Sequence, residues 1–177
     1  RDAKHPQRFH HLSTTEDERF AILYRSDRGK GKDGNTVDVW DLQTVAPTFQ
    51  SVWTAFDDEL EVLDHIDGQL LVVTNRHAPN RRVVLIDPAH PDESTWRTIL
   101  PERPEPLDGV SVAGGRLFAL YFQDVTTRAV VYHLDGTLDR MVELPGLGTA
   151  GGFEGERTAT SVYYTFTSFT APPTTTT

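Results

Sequence analysis

Ser111 stands in Gly109-Val110-Ser111-Val112-Ala113-Gly114, close to the Gly-x-Ser-x-Gly turn that exposes a serine nucleophile between a strand and a helix. Its closing glycine comes one residue late, and the Gly114-Gly115 pair after it reads as a turn between alternating strands. No helix pattern follows to aim backbone N–H groups at an oxyanion. Ser111 is therefore expected to be a strand residue, and no catalytic residue is expected in the chain.

Seven histidines raise the question of a metal. His10 and His11 are adjacent, which on a strand sends them to opposite faces. His5, His65, His77, His90 and His133 stand apart, without the i, i+4 pairing or local carboxylates of a zinc motif. The acidic run Asp57, Asp58, Glu59 and Glu61 matches no calcium-loop spacing. Arg25 to Asn35 is basic and glycine-rich, but no Gly-Lys-Ser/Thr follows, so it is expected to be a solvated hairpin loop rather than a phosphate cradle, the alternative being a flexible functional loop. No metal and no cofactor are expected.

Charge narrows the partners. With 26 acidic against 17 basic residues the net charge is −9, which repels nucleic acid and anionic lipid. The longest aliphatic runs, Leu70 to Val73 and Val83 to Ile86, fall far short of the roughly 20 residues that cross a bilayer. Neither nucleic acid nor a membrane is an expected partner. The absence of cysteine fits a reducing compartment, so a cytoplasmic location is expected, a periplasmic or secreted one remaining open. The opening Arg1-Asp2-Ala3-Lys4-His5-Pro6 has no apolar stretch, so it is expected to be interior to a longer chain rather than a signal peptide.

The elements that would position these residues recur in register. Phe20–Tyr24, Leu70–Thr74, Leu117–Tyr121 and Val162–Phe166 are β-branched and aromatic runs whose starts lie 50, 47 and 45 residues apart. Val37–Trp40, Val83–Ile86 and Ala129–Leu134 each precede an aspartate, at intervals of 46. Four strands per unit at this period predict an all-β, partial β-propeller of about three and a half four-stranded antiparallel blades. The incomplete propeller spans residues 1–173, with blades at about 9–56, 60–101 and 107–144 and a half blade at 149–169 that holds two strands. The low-complexity threonines 174–177 are set apart from the fold. Phe49, Val52, Trp53, Phe56 and Leu60 follow helical spacing, but the repeat phase predicts an outer strand there.

Three stretches carry a resemblance. They are Thr74-Asn75-Arg76-His77-Ala78-Pro79-Asn80-Arg81-Arg82 with the following Ile86-Asp87-Pro88, Glu93-Ser94-Thr95-Trp96 and Leu100-Pro101-Glu102; Tyr164-Thr165-Phe166-Thr167-Ser168-Phe169 with Pro172; and His5-Pro6 entering Thr15-Glu16-Asp17-Glu18-Arg19-Phe20. In this order and spacing the chain resembles the propeller domain of the prolyl oligopeptidase family, in its C-terminal half. The resemblance implies a two-domain serine peptidase that cleaves short peptides after proline. Its α/β-hydrolase domain carries a Ser, Asp and His triad, and the propeller excludes folded proteins from the site. The implied partners are that hydrolase domain, the remaining blades and short peptides.

Carried over residue by residue, the resemblance places Phe9 where the family has an apolar side chain lining the pocket before the proline subsite, so Phe9 is the one expected substrate-binding residue; the alternative is blade core. Asn75–Arg82 is expected to be a structured hairpin turn, in which Pro79 fixes one φ and Asn80 tolerates left-handed geometry. A rival reading is a stand-alone repeat module that binds a partner protein, closing by dimerisation. Sugar binding would rest on Trp40, Trp53 and Trp96, whose positions read as blade packing.

Overall fold

The computed structural model describes residues 5–27, 33–45, 47–168 and 173–176. Among them are fifteen strands, one single-turn 3-10 helix at Glu93–Thr95 and no α-helix. The strands form four antiparallel meanders in chain order. The first joins β1 (Phe9–Thr14), β2 (Phe20–Ser26), β3 (Asn35–Asp41) and β4 (Gln50–Trp53). The second joins β5 (Leu60–Ile66), β6 (Gln69–Thr74), β7 (Arg82–Ile86) and β8 (Arg97–Leu100). The third joins β9 (Leu107–Ala113), β10 (Arg116–Gln123), β11 (Thr126–His133) and β12 (Leu138–Met141). The last has three strands, β13 (Thr149–Glu154), β14 (Tyr163–Thr167) and β15 (Thr174–Thr176). These meanders are the blades that the repeat predicts.

The helical spacing around Trp53 yields to the sheet. Gln50–Trp53 pairs with β3, Val37 facing Trp53, and buries Val52. A helix this short is marginal by itself, whereas pairing with β3 ties the segment into the sheet. The threonine run also departs from expectation. Thr174 and Thr175 pair with Phe166 and Thr165, because an extended β-branched run next to an open strand edge completes its hydrogen bonds there. The half blade therefore has three strands where two were expected. Phe169 and Pro172 lie outside the described residues, as does the 28–32 part of the basic loop.

Two compact units hold the blades: one runs to Ala78 and resumes at Val83–Thr98, and the other comprises Pro79–Arg82 and Ile99 onward. In the first unit, Phe20, Ile22, Val37 and Val39 from the first blade pack with Leu60, Leu70, Val72 and Ile86 from the second. Burying side chains of this size contributes roughly 1.5–3 kcal/mol each. In the second unit, Phe118, Phe153 and Tyr164 stack, the rings of Phe153 and Tyr164 being 4.7 Å apart and nearly parallel. Strand β14 alternates strictly, with Tyr164 and Phe166 inward and Tyr163, Thr165 and Thr167 outward.

Candidate functional site

The first unit carries a groove of about 540 Å³ along its two first strands. Phe9, His10, His11, Ser13 and Thr14 of β1 line it with Tyr24 and with Leu60, Glu61 and Val62 of β5. Phe9 is 67% exposed there, so the alternative that it belongs to the blade core fails. Position in the ladder decides this: Phe9 pairs with Ser26 at the very end of β1–β2, beyond the apolar core. His10 and His11 face Arg25 and Tyr24 across the same ladder, and the His11 ring stacks on Tyr24 at 6.0 Å.

Tyr24 and Asn35 fasten the groove's far wall. The Val62 N–H donates to the Tyr24 hydroxyl at 3.0 Å. Burial pushes the Tyr24 phenol up to about 12; the Val62 and Ser13 hydrogen bonds oppose that shift and the nearby Glu61 carboxylate adds to it. Asn35 donates from Nδ2 to the Leu60 carbonyl at 2.9 Å and accepts the Leu60 N–H on Oδ1 at 3.1 Å. Side chains of the first blade thus take the place of a strand partner for β5.

A second cluster was not legible locally. His65 approaches Asp17, 48 residues earlier, at 2.7 Å, and Asp64 lies beside them. The register slips between Val62 and Asp64, a bulge that leaves both Asp64 and His65 buried. The donor atoms of the trio lie within 4.8 Å of one another, close enough to surround a metal ion. The hydrogen bonds already use the imidazole, however. The Gly68 N–H donates to Nδ1 at 3.3 Å, which leaves the proton on Nε2 for Asp17. Burial opposes ionisation of Asp17, but bonds from His65, the Arg19 N–H and the Thr15 hydroxyl win and bring its carboxyl down to about 2. This arrangement is a brace between two blades.

The remaining candidates fill structural places. Ser111 lies on β9 and donates its hydroxyl to the Phe153 carbonyl at 2.6 Å. Arg76 pairs with Asp58 at 3.2 Å and with Glu93 at 3.1 Å, and its guanidinium lies 5.4 Å from the Trp53 ring centre. Of the acidic run, Asp58 is thereby engaged by Arg76. Trp53 of the first blade also meets Trp96 of the second at 5.7 Å, and Trp40 meets Phe49 at 6.0 Å, so these indoles are engaged in packing between and within blades. In the Asn75–Arg82 turn the left-handed residues are His77 and Arg81, not Asn80. Asn80 instead donates its amide to the carbonyls of Arg103 and Pro104, an anchor that needs no positive φ.

Comparison with known proteins follows the same lines. The family model "Prolyl oligopeptidase, N-terminal beta-propeller domain" matches residues 1–176. The prolyl endopeptidases of Elizabethkingia meningoseptica and Elizabethkingia miricola are 33% and 34% identical over 171 residues, 97% of this chain and 24% of each relative. The chain therefore spans about a quarter of the curated relatives it matches. A solved prolyl endopeptidase, studied for inter-domain dynamics in catalysis and specificity, superposes with a TM-score of 0.87 at 30% identity, covering 98% of this chain and 25% of that one. Prolyl oligopeptidase B from Galerina marginata, at 22% identity, shares the fold with a TM-score of 0.86 over 98% of this chain and 25% of its own. No helix among the described residues is long and apolar enough to cross a membrane.

Proposed function

Because the chain belongs to the prolyl oligopeptidase N-terminal β-propeller family, we propose that it is the noncatalytic, gating part of a serine peptidase that cuts short peptides after proline. The observation that carries this reading is the family match across residues 1–176. The partner is an α/β-hydrolase domain that supplies the triad, together with the remaining blades of the propeller. In this reading Phe9, exposed at the groove, touches the peptide, as an aromatic surface that packs on a proline ring.

Two assays test the proposal. The pure chain is expected to leave a Gly-Pro p-nitroanilide substrate intact; turnover that scales with chain concentration would overturn its noncatalytic role. The complete polypeptide is expected to cut an unstructured proline peptide of about ten residues and to spare a folded protein with exposed prolines. Equal cleavage of both sinks the gating. The rival module that closes by dimerisation predicts a stable dimer in sedimentation at micromolar concentration, and gating by a larger polypeptide does not.

A further inference from the structure

The groove along β1 and β5 carries a charge that size selection does not require. Among the described residues that line it, Glu61 is the one carboxylate, with no lysine or arginine beside it. Glu61 is exposed, and among the described residues it has no basic partner. The imidazoles of His10 and His11 share the wall. A ligand in this groove therefore meets the Glu61 carboxylate together with the exposed ring of Phe9.

The two strands differ in what they leave for a ligand. Asn35 and Tyr24 occupy β5 backbone groups at Leu60 and Val62, so that strand's edge is closed. β1 is the end strand of its sheet, and its outward N–H and C=O groups have no strand partner among the described residues. An end strand of six residues is a template for an extended peptide, with affinity from the backbone and preference from neighbouring side chains.

We infer that this groove takes an extended peptide along the free edge of β1 and prefers one that carries a lysine or arginine, with Glu61 as the specificity-determining residue. The inference deepens the gating role and rests on it. The exposed carboxylate sets the scale: a roughly three- to tenfold preference at low ionic strength, shrinking as salt screens the pair.

The test titrates the chain at pH 8 and low salt with acetyl-Gly-Lys-Pro-Phe-amide and acetyl-Gly-Glu-Pro-Phe-amide, following the Phe9 and His11 resonances by NMR. The expected result is tighter binding of the lysine peptide, loss of the preference in Glu61→Gln, and its reversal in Glu61→Lys. Glu61 is exposed, so both variants are expected to fold, which circular dichroism checks. Equal affinity for both peptides overturns the charge preference and leaves the Phe9 contact standing. Failure of both peptides to bind at millimolar concentration overturns the inference and the peptide contact of the gating reading together.

Discussion

The Asn35 carboxamide holds Leu60 by both of its backbone groups, at 2.9 and 3.1 Å, and so joins the third strand of one blade to the first strand of the next. Thr127 repeats the device within the second unit: its N–H donates to the Gly148 carbonyl, and its hydroxyl accepts the Ala150 N–H at 3.1 Å. Both stitches begin at the start of a third strand, about two repeat periods apart. Replacing Asn35 by alanine strands two buried polar groups, at roughly 1–3 kcal/mol each before water relieves them. Asn35→Ala is expected to lower the urea midpoint accordingly, and an unchanged midpoint would refute the stitch.

Tyr24→Phe removes only the hydroxyl that accepts the Val62 N–H. A loss of about 1 kcal/mol is expected in chemical denaturation. The aromatic packing survives in this variant, so a much larger loss would mean that the ring, rather than the hydrogen bond, holds the groove wall.

Asp17 ties stability to acid. Its folded pKa of about 2 lies below the usual 3.8, so it contributes stability above 3.8 that is lost as pH falls toward 2. The melting temperature is expected to drop across that window, and Asp17→Asn is expected to flatten the drop. An identical pH profile for the variant would remove Asp17 from the account.

Val125 adopts φ of +63° beside Asp124 at +48°, in the two-residue turn between β10 and β11. The β5–β6 turn uses Asp67-Gly68 for the same geometry. A left-handed L-residue costs roughly 1–2 kcal/mol, and glycine returns part of that as unfolded-chain entropy. Val125→Gly is expected to raise stability by about 0.5–1 kcal/mol, read from the denaturation midpoint.

Ser111 is expected to resist a fluorophosphonate, since its hydroxyl is spent on the Phe153 carbonyl and no activating base was found beside it among the described residues. Mass spectrometry of the treated chain checks this, and stoichiometric labelling at Ser111 would reopen a catalytic role.

The blades were legible because they are local. Alternating side chains, turn residues and a repeat near 46 residues each act over a few neighbours, so Phe20, Leu70 and Leu117 could be placed in second strands from the sequence alone. Phe9 was legible as a candidate through family resemblance, while its exposure required the ladder of β1 on β2. Tertiary structure decided the rest. Asp17 and His65 are 48 residues apart, and their meeting depends on the β5 bulge and on the packing of two blades. Asn35 and Leu60 carry no pattern that announces a pair. Glu61 reads as one acid in a run of four until Asp58 turns to Arg76 and Glu61 is left facing the groove. Periodicity encodes which face of a strand is apolar, but partners between strands follow from register and bulges, which depend on contacts far away in the chain.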